Sequence, residues 1–142
     1  MSNEADPLHQ IIVELNAALA WEMRAQVMYS HYGAYVKGIH RLHLKPFFEG
    51  EAAESVTHGM TVRDQIVKLG GVATTNRDPA EIVHSTDYKV MLGEAFKTEE
   101  FAAATYKKIL ALPGLDAELY DAIEQISFEE QRSIEELTQM LD

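Results

Sequence analysis

Acidic residues and one histidine lie together on a predicted helix near the middle of the chain. Residues 47–69 have the length of a helix, and a pair of glycines follows them as a stop signal. On that helix Glu51 and His58 lie on the apolar face, two turns apart, and Glu54 lies at its border, one turn from His58. A carboxylate or an imidazole that faces a core is costly unless a partner or a metal ion compensates it. The pattern therefore indicates a buried polar site.

Each of the other three predicted helices also carries one glutamate on its apolar stripe. These are Glu22, Glu99 and Glu130. Ionised carboxylates in a shared dry core need counter-charge, which divalent cations supply. Carboxylate oxygen and imidazole nitrogen are ligands that iron and manganese accept. The repetition on all four helices predicts a metal site, without ranking iron against manganese or zinc, built from Glu22, Glu51 or Glu54, His58, Glu99 and Glu130.

The same pattern allows a metal-free alternative, which is a core held together by ion pairs. Arg24, Arg63 and Arg132 are available to pair with the glutamates. Tyr29 and Tyr106 also lie on core-facing stripes, where a tyrosine usually packs while its hydroxyl bonds a carboxylate. This alternative predicts glutamates that are held by arginine and tyrosine rather than by a metal ion.

The order of the helices and their connections defines the expected fold. Helix A is expected at about 7–37, helix B at about 46–69, helix C at about 87–111 and helix D at about 116–141. Pro46 is expected to open helix B. The long crossover, 70–86, contains Asp78–Glu81, which fits one or two helical turns. We therefore predict an all-α single domain, 1–142, with up-down-down-up wiring and a long B–C crossover, as in ferritin-like four-helix bundles.

Composition narrows the possible partners and the location. The chain has 12 basic and 23 acidic residues, a net charge of −11, and its lysines and arginines are scattered, which argues against a nucleic-acid partner. Its apolar runs fall short of the roughly 18 residues that a membrane span requires. There is no cysteine, and the first residues do not resemble a signal peptide. We expect a cytoplasmic protein without a membrane partner.

Motifs around these glutamates resemble the ferritin-like superfamily, and within it bacterioferritin most closely. The resemblance runs from about Leu8 to Leu141. It is carried by Trp21-Glu22 before Tyr29, His58 before Leu69-Gly70-Gly71, Met91-Leu92 before Glu99 and Tyr106, and Glu129-Glu130 before Ile134 and Leu137. That family oxidises ferrous iron with oxygen or peroxide at a di-iron centre. The resemblance implies terminal carboxylates at Glu22 and Glu99, bridging carboxylates at Glu54 (or Glu51) and Glu130, and a nitrogen ligand at His58.

The chain also departs from the family pattern at several positions. Ser55 stands where the family has a glutamate three residues before the helix B histidine, and Ser133 or Arg132 stands where it has a second histidine on helix D. These departures imply an asymmetric or mononuclear site, or its loss. Val56 stands where bacterioferritin has its haem-binding methionine, so we expect no haem. Without a fifth helix after helix D, a dimer or a twelve-subunit oligomer is expected rather than a 24-subunit shell.

Two further interpretations remain open. The chain also resembles Dps mini-ferritins, whose iron site lies between subunits. His31 and His43 have the right mutual spacing for that site, but its acidic positions fall on His58 and Val62. Exposed surface histidines are the simpler explanation of His31, His40 and His43. The other interpretation is a ferritin-fold protein without redox activity, acting as a structural or partner-binding dimer.

Overall fold

The computed structural model describes residues 6–142, which form four helices. They are α1 (Pro7–Tyr35), α2 (Arg41–Lys68), α3 (Tyr88–Leu110) and α4 (Ala117–Leu141). Within the described range none of these helices is both long enough and apolar enough to cross a membrane. The predicted order of four helices with one long connection is confirmed.

Three of the helices begin at an aspartate that caps the first turn. Asp6 accepts a hydrogen bond from the backbone N–H of Leu8, Asp87 from Lys89 and Asp116 from Leu119. Each carboxylate satisfies a backbone donor that has no partner inside the helix. These caps fix where α1, α3 and α4 start.

Helix α2 begins at Arg41, so the prediction that Pro46 opens this helix is wrong. Pro46 lies inside the helix, close to its N-terminus. Proline at this position removes the N–H that would donate to the carbonyl of Leu42, so this turn lacks one helical hydrogen bond. The added turn is held from outside: the Arg41 side chain donates to the carbonyls of Ala34 and Val36, and Leu44 is buried. Tertiary contacts therefore extend the helix beyond its sequence signal.

The contacts between helix ends give the topology. α1 packs on α2 and α3, and α4 packs on α3 and α2. One apolar cluster joins the C-terminal halves of α1 and α4 to the N-terminal halves of α2 and α3. Hence α1 and α4 run in one direction, and α2 and α3 run in the other. This is the predicted up-down-down-up bundle.

Two apolar clusters fill the ends of the bundle, and a polar layer lies between them. The first cluster is Ile11, Leu15, Ala18, Leu19, Val62, Ile66, Ala102, Tyr106, Ile109, Leu119, Ile123 and Ile126. The second is Ala25, Met28, Tyr29, Tyr32, Val36, Leu44, Phe48, Ala52, Met91, Leu92, Ala95 and Leu137. We define the polar layer as the four buried residues, one from each helix, that lie between them: Glu22, His58, Glu99 and Glu130.

The crossover between α2 and α3 is extended, and the predicted turn of helix at Asp78–Glu81 is wrong. The Asp78 side chain instead accepts a hydrogen bond from the N–H of Ala80, two residues on, which closes a local turn. Side chains spaced along α1 hold the segment: Asn16 bonds to Val72 and Thr74, Arg24 to Ala80 and Glu81, and Tyr32 to Val83. Bonds to α1 replace the helical bonds that the sequence pattern had suggested.

Candidate metal centre

The four residues of the polar layer meet halfway along the bundle. Glu22 on α1, His58 on α2, Glu99 on α3 and Glu130 on α4 are each only 2–4% exposed. Each lies on the inward face of its helix; Glu22, Glu99 and Glu130 have apolar neighbours about one turn away, whereas His58 lies between Ser55 and Val62. The amphipathic spacing that buries the apolar residues therefore buries these four as well.

One side of the His58 ring faces two buried carboxylates, which we call the inner group. His58 Nδ1 lies 3.0 Å from Glu130 Oε1 and 3.2 Å from Glu22 Oε2. All three residues offer ligand atoms within 4.8 Å of one another. Glu130 Oε2 is buried and has no hydrogen-bond partner. A buried oxygen without a partner is costly, so it is free to accept a cation.

The other side of the same ring faces two half-exposed carboxylates, which we call the outer group. His58 Nε2 lies 2.6 Å from Glu129 Oε2 and 3.8 Å from Glu54 Oε1. The side chains of Glu54 and Glu129 are 37% and 38% exposed. His58 therefore separates a dry pair of carboxylates from a solvated pair.

An open cleft of about 230 Å³ lies at the outer group. It is lined by Glu51, Glu54, Glu129, Arg132, Ser133 and Glu136. Four carboxylates against one guanidinium make the cleft acidic overall, which favours the approach of cations from solvent.

Two buried tyrosines hold two of the glutamates in place. The Tyr106 hydroxyl donates to Glu22 Oε2 at 2.6 Å, and the Tyr29 hydroxyl donates to Glu99 Oε1 at 2.7 Å. This is the arrangement expected from the sequence for core-facing tyrosines. Glu99 is buried in the same layer but is not a member of the inner group.

Ser133 marks one departure from the family pattern, and the structure gives it a partner. Its hydroxyl donates to Glu51 Oε2 at 3.1 Å, across the gap between α4 and α2. Glu51 therefore points towards α4 at the edge of the polar layer rather than towards His58. Ser55, the other departure, is buried beside it on α2.

Burial and the charges of neighbouring acids favour the protonated forms of Glu22 and Glu51 in the metal-free protein. Burial, and then the charge of Glu130, raise the pKa of Glu22 to about 8. Burial, and then the charge of Glu54, raise the pKa of Glu51 to about 7. Each carboxyl is harder to ionise because its neighbours are also acids in a poorly hydrated space.

The same surroundings have the opposite effect on the histidine. Burial alone would lower the pKa of His58, but hydrogen bonds to Glu130 and Glu22 outweigh it and raise the pKa to about 11. The pKa of Tyr29 is raised well above its ordinary value, by burial and then by the charge of Glu51. Without a metal, the His58 imidazolium lies between the acids of the inner group and those of the outer group.

These observations fit a metal ion better than an arginine-paired core. Within residues 6–142 no arginine forms an ion pair with a glutamate of the layer. Arg24 donates instead to the carbonyls of Ala80 and Glu81 and to Thr98, and Arg63 contacts the Met23 sulphur. The donor set of carboxylate oxygens with one imidazole, and the unpartnered Glu130 oxygen, suit a divalent cation such as iron or manganese.

Sequence reasoning placed most of these residues correctly and missed one. Glu22, His58, Glu99 and Glu130 meet in the core, whereas Glu51 and Glu54 lie at the edge of the layer, in the cleft. Glu129 was not predicted as a site residue, although it makes the shortest contact with His58. Glu130, the next residue, takes the inward position on α4. An interpretation that considers only the inward face therefore misses Glu129. The ligand roles of all six predicted residues, and the expected absence of haem, stay predictions.

The histidines of the Dps interpretation lie apart from this layer. His31 is near the C-terminus of α1, where its ring is within hydrogen-bond distance of His84. His43 is in the first turn of α2 and packs against the ring of His40, with centroids 5.4 Å apart. A site between subunits stays a prediction.

Comparison with known proteins places the chain in a family. The family model described as a ferritin-like domain matches residues 12–142. The chain is 32% identical to a ferritin-like diiron-carboxylate protein from Bacillus anthracis str. Ames, over 100% of both chains and with a TM-score of 0.89. It is 26% identical to a dodecameric thioferritin, the bacterioferritin-related protein of Bacteroides fragilis, over 94% of this chain and 85% of that one, with a TM-score of 0.87.

A third solved structure shares the fold alone. It is the Dps protein of Vibrio cholerae O1, which is 14% identical over 96% of this chain and 91% of that one, with a TM-score of 0.89. No curated protein matches the chain. The match over 131 of 142 residues, together with the full-length similarity to a diiron-carboxylate protein, shows that the chain belongs to the ferritin-like family.

Proposed function

We propose that this protein binds ferrous iron in the polar layer and oxidises it there. The observation that carries the proposal is the inner group: two buried carboxylates and one imidazole converge, and one buried carboxylate oxygen lacks any partner. The full-length similarity to a diiron-carboxylate protein supports iron as the metal. Iron is the substrate of this reaction, and each ferrous ion gives one electron to dioxygen or peroxide.

We assign the predicted ligands to two ions. Glu22, His58 and Glu130 would hold the first ion, since they already lie within ligand distance of one another. Glu51, Glu54 and Glu99 would supply carboxylates to a second ion. Tyr29 and Ser133 hold Glu99 and Glu51, respectively, by single hydrogen bonds.

Protons must leave when iron enters. Glu22 has a pKa near 8 and His58 a pKa near 11 in the metal-free protein, and both must be deprotonated to ligate. The acidic cleft beside Glu54 and Glu129 opens the outer side of His58 to solvent. The protons from the layer leave by this side, and cations arrive by it.

An oligomer of this chain is part of the proposal. The bacterioferritin-related relative is dodecameric, and α1 and α2 of this chain carry exposed apolar side chains at Val27, Val56, Met60 and Val67. We expect a dimer or a dodecamer of this cytoplasmic protein. The mass in solution, measured by light scattering, tests this: a monomer would contradict it.

The experiment that tests the function is anaerobic loading with ferrous iron followed by exposure to air. We expect up to two irons per chain and a ferric absorbance that rises faster than in protein-free buffer. Glu130→Gln should abolish the excess rate, because it removes a ligand charge from the inner group. Glu135→Gln, an exposed change on the same helix, is the matched control and should behave as wild type.

A metal-free structural role is the second candidate, and the tyrosine bonds to Glu22 and Glu99 favour it. Such a core would bind no iron above background in either variant. Its stability would also be the same with and without ferrous iron. Stoichiometric iron binding without oxidation would support an iron-binding protein and contradict the proposed ferroxidase activity.

A further inference from the structure

A second pair of potential ligands lies on the surface, away from the polar layer. His31 Nε2 on α1 lies 2.8 Å from His84 Nδ1 in the crossover. The two residues are 53 positions apart in sequence, and neither belongs to the inner or the outer group. The bundle therefore brings two imidazole nitrogens together at a place that the proposed iron site does not use.

The backbone that carries His84 is held firmly against α1. The Tyr32 hydroxyl donates to the carbonyl of Val83 at 2.7 Å, directly before His84. Arg24 donates to the carbonyls of Ala80 and Glu81, a few residues earlier. These bonds fix the segment on the helix that carries His31, so the approach of the two rings is a product of the fold.

Both rings are also packed by the same aromatic side chain. The Tyr35 ring centroid lies 4.5 Å from that of His31 and 4.7 Å from that of His84. His31 is half-buried, while His84 is exposed. Restriction of the rings before binding lowers the ordering cost when a ligand joins them.

The separation of the two nitrogens matches that of neighbouring ligands on one metal ion. Metal–imidazole bonds are about 2.0–2.1 Å long, so two such bonds at a right angle place their nitrogens about 2.9 Å apart. Neutral imidazoles without a carboxylate suit copper, zinc and nickel, and copper(II) binds such ligands most tightly. The polar layer, rich in carboxylates, suits iron instead.

We propose that His31 and His84 form a surface site for a divalent late transition metal, with copper(II) bound more tightly than zinc(II). Water completes the coordination, because the pair supplies two protein ligands. The bound ion takes the place of the hydrogen bond between the two rings, whose proton moves to the other nitrogen of the donating ring, and it ties the crossover to α1. The site is independent of the proposed iron chemistry.

Copper(II) titration of the iron-free protein tests the proposal. One equivalent should bind with nitrogen coupling from two imidazoles in its electron paramagnetic resonance spectrum. His84→Ala and His31→Ala should each weaken binding by about tenfold or more, because the second imidazole otherwise binds intramolecularly. His9→Ala, at an exposed histidine at the start of α1, is the matched control and should leave the affinity unchanged.

Two further measurements keep this site distinct from the iron site. The spectrum and affinity should persist in Glu130→Gln, which disables the inner group only. Copper should also slow proteolysis of the crossover in wild type and not in His84→Ala. Unchanged copper affinity in the His31→Ala and His84→Ala double variant would overturn the proposal, as would loss of the signal in Glu130→Gln.

Discussion

The ends of the bundle and its middle are built from the same four helices, but the ends are apolar and the middle is polar. At the ends, the two apolar clusters contain Ile, Leu, Met and aromatic side chains that are almost fully buried. In the middle, each helix places a carboxylate or an imidazole at the same inward position. Burial of apolar side chains at the ends stabilises the folded state, and burial of the polar groups in the middle offsets part of that stabilisation.

The difference teaches how a site of this kind can exist at all. A buried aliphatic side chain contributes about 1.5–3 kcal/mol, and the two clusters contain many of them. The layer lowers its own cost by keeping protons on Glu22 and on His58. A cation can then exchange for these protons without a change of fold.

The largest expected effect comes from breaking an apolar end. Ile66 is fully buried in the first cluster, so Ile66→Ala should lower the free energy of unfolding by about 2–5 kcal/mol. The loss should be the same with and without iron, because Ile66 is not a proposed ligand and lies two turns of α2 away from His58. Urea unfolding measures it. Val67→Ala, at a neighbouring residue that is 63% exposed, is the control and should change stability by about 0.5 kcal/mol or less.

The pH dependence of the stability of the metal-free protein reports on the polar layer in the middle of the bundle. Protonated His58 stabilises the folded state. This stabilisation is complete below the ordinary histidine pKa of 6.5 and is lost as the pH rises through the raised pKa of about 11. The pKa of Glu22 is raised from 4.5 to about 8, so ionisation of Glu22 lowers the stability of the folded protein progressively between these two pH values. The folded state therefore holds more protons than the unfolded state, and stability should fall as pH rises from about 5.

Each such proton adds a slope of about 1.4 kcal/mol per pH unit. Denaturant unfolding at several pH values between 5 and 10 measures how steeply the free energy of unfolding falls with pH. Glu130→Gln should make this fall less steep, because it removes one of the carboxylates that raise the pKa of His58. Iron affinity should rise over the same range. Stability of the metal-free protein that rises with pH would contradict this picture of the layer.

The smallest effect concerns the tyrosines that border the layer. Tyr106→Phe removes the hydrogen bond to Glu22 and should cost about 1 kcal/mol in the metal-free protein. The same bond lowers the pKa of Glu22, so its loss should also weaken iron binding near pH 7. Tyr120→Phe, at an exposed tyrosine on α4, should change neither quantity. Unfolding and ferrous iron titrations compare the two variants.

The sequence carried the bundle and the inner group because both depend on local periodicity. Glu22, Glu99 and Glu130 stand on the apolar stripes of their helices, and the caps at Asp87 and Asp116 mark where two of these helices start. Helical spacing alone was enough to bring these residues into one layer.

The remaining features depend on contacts between distant segments. The first turn of α2 depends on Arg41 reaching the end of α1, and the extended crossover depends on Arg24 and Tyr32. The role of Glu129 depends on where α4 lies relative to His58. No local pattern in the sequence reports such contacts.

The central claim is that the polar layer is a metal site and not only a polar core. The most direct test is thermal unfolding of the metal-free protein with and without anaerobic ferrous iron, in wild type, Glu130→Gln and Glu135→Gln. At one hundred times the dissociation constant, binding to the folded state should add about 2.7 kcal/mol in wild type and in Glu135→Gln, and much less in Glu130→Gln. An equal shift in all three proteins, or no shift in any of them, would contradict the claim.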